Sequence, residues 1–226
     1  AKEIAQLKGY VQETLTRFKN DKRVLMWGLY NEPGRGNNLD GNNKKIVLGE
    51  RSNKLVYQAW IWAREIAPSQ PITATSEGSV GKTNKLINRV NADVSSIHSY
   101  GKPQALEATI KNYQTEDRPI FMTEWLARTA GSTVQDCLPI LKKYNVAAVN
   151  WGFVSGESGT VWPWSSRNQN GTPINVNAKR LAGEVVKPGE PFPEPELWFH
   201  DLYRVDGTPF DQEEINTFIK LTGRGK

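Results

Sequence analysis

The spacing of apolar residues along the chain predicts helices that alternate with short strands. The first segment carries apolar residues at helical spacing: Ile4, Leu7, Val11, Leu15 and Phe18. Residues 1–18 are therefore predicted to form an amphipathic helix. The short, mostly apolar run from Val24 to Tyr30 is typical of a strand that is buried on both faces.

The same alternation continues to the end of the chain. Further strands are predicted over residues 71–75, 93–100, 118–125 and 146–154, and further helices over 44–66, 82–89, 103–113, 133–144 and 211–221. Residues 33–43 are predicted to be a Gly/Asn-rich loop, 188–195 a proline-rich connection, and Ser132 the N-cap of the helix at 133–144. Strands separated by helices pair in parallel through right-handed crossovers. We therefore expect one partial α/β domain over residues 1–226: an incomplete (β/α)₈ TIM barrel with about strands 4 to 8 and an extra C-terminal helix.

Composition excludes several classes of protein. No apolar run approaches the roughly 18 to 20 residues of a membrane span. One cysteine (Cys137, expected to be buried and inert) and two histidines argue against a disulfide scaffold or a zinc site. The net charge is 29 − 24 = +5, but the basic residues are scattered, so no nucleic-acid partner is expected. Several of the eight tryptophans lie beside Gly, Asn or Pro, where an aromatic face could stack on a ligand.

Two glutamates follow predicted strands. Glu32 stands in Tyr30-Asn31-Glu32-Pro33, and Glu124 ends a later strand in the run Met122-Thr123-Glu124-Trp125. Because parallel barrel strands point their carboxyl ends at the same mouth, the two side chains are expected to meet there. Glycoside cleavage requires such a pair, about 5 to 5.5 Å apart for retention of configuration and roughly 6.5 to 9.5 Å apart for inversion.

Other polar and aromatic residues are predicted to surround this pair. Alternation along a strand places His98 and Tyr100 on one face, and Trp151 ends the last strand. Glu77 follows another strand and is a candidate substrate ligand, whereas Trp162 and Trp164 lie in a polar loop and could stack on sugar rings or cap the barrel. His200, in the C-terminal segment, is expected to be structural and far from the mouth.

These motifs, in this order, resemble clan A glycoside hydrolases, closest to family 5 and other cellulase-like enzymes. The resemblance implies a retaining mechanism, with Glu32 as general acid/base and Glu124 as nucleophile. It implies that Asn31 binds the sugar 2-hydroxyl, Tyr100 orients Glu124, His98 binds substrate or braces the carboxylates, and Trp151 forms the floor of a subsite. The substrate would be a carbohydrate; no metal or cofactor is implied.

The sequence departs from this family in one respect: the first three strands of the barrel are not recognisable. We therefore expect the barrel to be completed by an N-terminal segment, by a second chain or by self-association. An inactive carbohydrate-binding fragment or degenerate paralogue is the alternative function. A polysaccharide substrate suggests a secreted or periplasmic protein whose signal segment lies outside this chain.

Overall fold

The computed structural model describes residues 2–34, 37–39, 45–47, 49–156, 160–163 and 194–223. The helices are α1 (Lys2–Phe18), α2 (Gly49–Ile66), α3 (Lys82–Asn91), α4 (Pro103–Gln114), α5 (Val134–Lys143) and α6 (Gln212–Thr222). The strands are β1 (Trp27–Gly28), β2 (Asn37–Leu39), β3 (Lys45–Val47), β4 (Ile72–Thr73), β5 (Ser95–His98), β6 (Ile120–Glu124) and β7 (Ala147–Ala148). The chain forms two compact units: unit 1 is Ala1–His98 with Tyr113–Phe121, and unit 2 is Ser99–Asn112 with Met122–Lys226.

Unit 1 contains a run of parallel strands joined by helices. β1 and β4 pair in parallel, with Trp27 opposite Ile72. A parallel bridge between Thr75 and Ser96 joins the end of β4 to β5, and β5 in turn hydrogen-bonds to the residue that precedes β6. Because the strands are parallel, their carboxyl ends lie at one edge, and the residues that follow β1 and β4 are neighbours there of the last residue of β5.

The core of unit 1 lies between its helices and these strands. It consists of Leu15, Val56, Trp60, Ala63, Ile72 and Ala74, all at most 2% exposed. At its border, the Trp60 indole N–H donates to Asn88 Oδ1 at 2.9 Å, and Asn88 Nδ2 donates to the Thr75 carbonyl at 2.7 Å. These bonds tie α2 and α3 to the end of β4, and they satisfy polar groups that would be costly to bury unpaired.

Unit 2 contains the end of β6, β7 and the helices α5 and α6. Val149 N–H donates to the Met122 carbonyl, and Trp151 N–H to the Trp125 carbonyl, both at 2.9 Å. The pairing of β6 with the segment that begins at β7 therefore continues past Glu124. The helix α5 packs against both β7 and α6. A bidentate ion pair joins Arg128 to Glu214 of α6, and both side chains are 3% exposed.

Most predicted elements are confirmed, with strands shorter than expected, but three predictions are wrong. The expected loop at 33–43 contains β2, which pairs antiparallel with β3, and the helix expected from residue 44 begins at Gly49. The β-branched pair Ile46-Val47 favours a strand there. The N-cap of α5 is Thr133, not Ser132, whose hydroxyl accepts from Leu126 N–H. Of the proline-rich connection, residues 188–193 lie outside the described residues. Within the described ranges, no helix has the length and apolar character required to cross a membrane.

Candidate active site

Glu32 lies two residues beyond the parallel pairing of β1. That pairing reaches Tyr30, whose carbonyl accepts Thr75 N–H at 3.3 Å. The backbone of Glu32 has a φ of +40°, which is unusual for a residue other than glycine. Such a conformation costs on the order of 1–3 kcal/mol and persists where the surrounding structure enforces it, often at functional sites.

His98, the last residue of β5, orients the Glu32 carboxylate. His98 Nδ1 lies 2.9 Å from Glu32 Oε1, and Ser79 N–H donates to the same oxygen at 3.4 Å. The side chains of His98 and Glu32 are only 2% and 9% exposed. A buried imidazole on a carboxylate oxygen is suited to hold that carboxylate in place, which favours the bracing role among the two predicted for His98.

Gly78 permits this close arrangement. Its φ is +108°, and a Cβ added there would lie 2.9 Å from Glu32 Oε1 and 2.9 Å from His98 Cβ. A side chain at position 78 would therefore collide with both members of the Glu32–His98 pair. Gly78 was not among the predicted site residues, since a glycine in Glu77-Gly78-Ser79 is indistinguishable from an ordinary turn glycine.

Glu77 and Asn31 also lie at this edge of unit 1. The Glu77 carboxylate pairs with Lys85 of α3, and its carbonyl accepts His98 N–H at 3.2 Å. Asn31 is exposed, and its Oδ1 accepts the Thr75 hydroxyl at 3.5 Å. Unit 1 thus brings together four of the predicted site residues, Asn31, Glu32, Glu77 and His98.

Glu124 ends β6 in unit 2. The Tyr100 hydroxyl donates to Glu124 Oε2 at 2.7 Å, in the contact that the resemblance implied. A hydrogen bond from a phenol fixes the orientation of a carboxylate. Two residues later, Leu126 adopts a φ of +78°, so the chain turns sharply directly after Glu124-Trp125.

The predicted tryptophans occupy different positions in unit 2. Trp151 follows β7 and is 42% exposed. The hydrogen bond from its backbone N–H to the Trp125 carbonyl holds it next to the end of β6. Trp162 is half-buried in the described turn at 160–163, whereas Trp164 lies outside the described residues. An exposed indole beside the end of a strand can present its face to a sugar ring.

His200 does not lie far from the predicted site residues, contrary to the expectation. Its ring is 5.5 Å from the ring of Tyr100, centroid to centroid, and its Nδ1–H donates to the Leu126 carbonyl. Burial lowers the pKa of His200 to about 4, so the imidazole is neutral at neutral pH. The hydrophobic pattern did not predict where His200 lies in the fold, because the segment before α6 has no helical or strand periodicity.

The chain belongs to the cellulase family, glycosyl hydrolase family 5, whose family model matches residues 1–157. This match contains both glutamates and every other predicted site residue except Trp162 and Trp164. No curated protein sequence matches the chain.

Solved structures of glycoside hydrolases share its fold. Xylanase 10B from Thermotoga maritima is 14% identical, with a TM-score of 0.54 over 99% of this chain and 67% of that chain. An endo-β-1,4-xylanase from Gloeophyllum trabeum is 13% identical, with a TM-score of 0.53 over 95% and 65%. An endo-1,4-β-D-mannanase from Thermotoga petrophila is 11% identical, with a TM-score of 0.55 over 97% and 64%. The fold is therefore an incomplete (β/α)₈ barrel, and the chain spans 64–67% of the length of these three proteins.

Proposed function

We propose that this chain is part of a retaining glycoside hydrolase that cleaves β-glycosidic bonds, with Glu32 as general acid/base and Glu124 as nucleophile. One observation carries the proposal: each glutamate lies at or just beyond the carboxyl end of a strand, and each carboxylate is hydrogen-bonded to the side chain of a ring residue. His98 contacts Glu32, and Tyr100 contacts Glu124. In a (β/α)₈ barrel, such positions are where catalytic residues lie.

The two glutamates have contacts that suit different roles. Glu124, whose Oε2 accepts the Tyr100 hydroxyl, is held in an orientation suited to attack the anomeric carbon while the glycosidic C–O bond breaks. Glu32, whose Oε1 is hydrogen-bonded to His98, is suited to give a proton to the departing oxygen. In the second step, Glu32 takes a proton from water, and the water oxygen displaces the Glu124 ester.

The proposed substrate is a β-linked polysaccharide or oligosaccharide. Asn31 is exposed beside Glu32 and would bind the sugar 2-hydroxyl, a contact that strengthens in the transition state. Trp151 would support the ring of the sugar that is cleaved, and Trp162 and Glu77 would contact neighbouring hydroxyls or rings. Xylan-, mannan- and glucan-type chains are the first substrates to test, and a polymeric substrate fits a secreted or periplasmic enzyme.

We also propose that residues 1–226 form one partial catalytic domain that needs further strands. Apolar side chains are exposed beside strands in each unit: Leu25 is 70% exposed before β1 in unit 1, and Val149 and Phe153 are 53% and 63% exposed beyond β7 in unit 2. Such apolar surface next to a strand edge is a liability unless it is covered. Native mass spectrometry tests this directly: a stable, active 25.4 kDa monomer would contradict it.

The mechanism is tested with Glu124→Ala and Glu32→Ala in the full-length protein, with aryl β-glycosides as substrates. Each variant is expected to lose activity by orders of magnitude. Azide can then replace the missing carboxylate: Glu124→Ala is expected to release a glycosyl azide of inverted configuration, and Glu32→Ala one of retained configuration. The matched control is Glu107→Gln, which removes a carboxylate that pairs with Lys143.

Two outcomes would overturn the proposal. Near-normal rates in both alanine variants would exclude these residues from the reaction. Saturable oligosaccharide binding without release of reducing ends, in the completed protein, would identify it as the inactive carbohydrate-binding alternative.

A further inference from the structure

A stretch without helical or strand periodicity, residues 198–203, connects several parts of unit 2 and is buried from Trp198 to Leu202. Phe199 N–H donates to the Val161 carbonyl at 2.7 Å, and the Phe199 carbonyl accepts Arg128 N–H at 3.0 Å. Leu202 N–H donates to the Phe153 carbonyl at 3.1 Å. The 198–203 segment therefore joins the chain that follows β6, the chain that follows β7 and the turn at 160–163.

A charged side chain and a glycine fix this segment in place. The Arg128 guanidinium, paired with Glu214, donates to the carbonyls of Trp198 and Asp201 at 3.2 and 3.0 Å. Gly152 has a φ of +84°, and a Cβ there would lie 2.9 Å from His200 Cβ. The segment thus lies too close to Gly152 for a side chain at that position.

At the centre of the segment, His200 reaches the turn that follows Glu124. The side chain is fully buried, and Nδ1–H donates to the carbonyl of Leu126, the residue with a φ of +78°. A carbonyl can only accept, so the imidazole carries its proton on Nδ1. This hydrogen bond holds a strained turn two residues beyond the glutamate.

His200 also supports the tyrosine that orients Glu124. The rings of His200 and Tyr100 lie 5.5 Å apart at a tilt of 58°, an aromatic contact of ordinary geometry. The Tyr100 hydroxyl is the donor to Glu124 Oε2. One side chain therefore contacts both the backbone that carries the glutamate and the ring that orients it.

We propose that His200 is a positioning residue for Glu124, acting through the Leu126 turn and the Tyr100 ring. The inference rests on the proposed function, since Glu124 is there the nucleophile. His200 acts as a neutral donor and a packing surface rather than as a charge, in agreement with a pKa lowered by burial and by the nearby Arg128 guanidinium.

Two variants separate the two contacts. His200→Asn keeps a short donor that can reach Leu126 but removes the ring, whereas His200→Phe keeps a ring against Tyr100 and removes the donor. In the full-length protein, each is expected to lower kcat at least tenfold with KM changed less than threefold. Val56→Ala, which empties part of the core of unit 1, is the control for lost stability and is expected to leave kcat unchanged.

Crystal structures of both variants provide a readout that does not depend on activity. In His200→Phe, the φ angle of Leu126 is expected to leave the left-handed region. In His200→Asn, the distance from the Tyr100 hydroxyl oxygen to Glu124 Oε2 is expected to exceed 3.5 Å. Unchanged geometry in both variants, or a kcat lowered no more than in Val56→Ala, would overturn the inference. An inactive wild-type protein with altered variant geometry would refute the proposed function but leave the positioning role intact.

If neither variant folds, the inference can still be tested in the wild-type protein. The chain has two histidines, so ¹⁵N spectra of the imidazoles are readily assigned. A neutral Nδ1–H tautomer of His200 at pH 7 is expected. An Nε2–H tautomer would remove the bond to Leu126 and overturn the inference.

Discussion

Gly78→Ala tests whether the packing around Glu32 sets its position. The added Cβ would lie 2.9 Å from Glu32 Oε1 and 2.9 Å from His98 Cβ. Ordinary contacts of this kind are about 3.5–4 Å, so the carboxylate, the imidazole or the backbone must move by about 0.5–1 Å. A misplacement of about 1 Å at a reacting group can cost about 10²-fold in rate, so we expect kcat to fall roughly 10–100-fold.

The backbone contributes a second, separable cost. Alanine at a φ of +108° is strained by on the order of 1–3 kcal/mol, which lowers stability without a specific effect on Glu32. Gly207 is the matched control: its φ is +84°, and nothing lies within 4 Å of an added Cβ. Gly207→Ala is therefore expected to lose stability to a similar degree but to keep its activity.

The assay compares both variants with the wild-type protein in urea unfolding and in initial rates on an aryl β-glycoside. The difference in kcat between Gly78→Ala and Gly207→Ala isolates the contact with Glu32 and His98. Equal rates in the two variants, at equal stability loss, would refute the reasoning, because the close contact would then have no effect on the proposed acid/base.

Three further predictions concern unit 2. Arg128→Ala is expected to lower the free energy of unfolding by about 3–5 kcal/mol in urea titrations, because it leaves the Glu214 carboxylate buried without its partner. Tyr100→Phe is expected to lower kcat/KM about 10–100-fold, since a hydrogen bond to a charged group such as Glu124 contributes about 1.5–3 kcal/mol. His200, with a pKa of about 4 against 6.5 unfolded, contributes stability that is fully present above pH 6.5 and is lost as the pH falls towards 4. About 2 kcal/mol of it is lost by pH 5, so the urea midpoint of His200→Asn is expected to fall less between pH 7 and pH 5 than that of the wild-type protein.

Each of these has a result that contradicts it. For Arg128→Ala, the contradicting result is a loss of unfolding free energy below about 1 kcal/mol, which is the contribution of an exposed ion pair. For Tyr100→Phe, it is an unchanged kcat/KM. For His200→Asn, the contradicting result is a urea midpoint that falls between pH 7 and pH 5 as much as that of the wild-type protein. This would mean that the imidazole is accessible to protons in the folded state.

Local periodicity was enough to predict much of the fold and to locate the two glutamates at the ends of strands. Helical spacing located α1, and short apolar runs located β1 and β6, because each pattern reflects neighbours within one element. Glu32 and Glu124 were identified because residues at the carboxyl ends of parallel strands share one edge of a barrel. The contact of Tyr100 with Glu124, implied by the resemblance, is confirmed within unit 2.

Tertiary contacts decided what surrounds these residues. Nothing local distinguishes Gly78 from a turn glycine until the distance to Glu32 Oε1 is known, and nothing links Arg128 to Glu214 before both are buried together. His200 was misplaced for the same reason. It lies in a segment whose backbone hydrogen bonds go to distant parts of the chain, and a period of 2 or 3.6 residues carries information only about partners within the same element. The sequence by itself thus determined the order of helices and strands and the two glutamates proposed to act at strand ends, and only the tertiary structure decided which residues hold them in position.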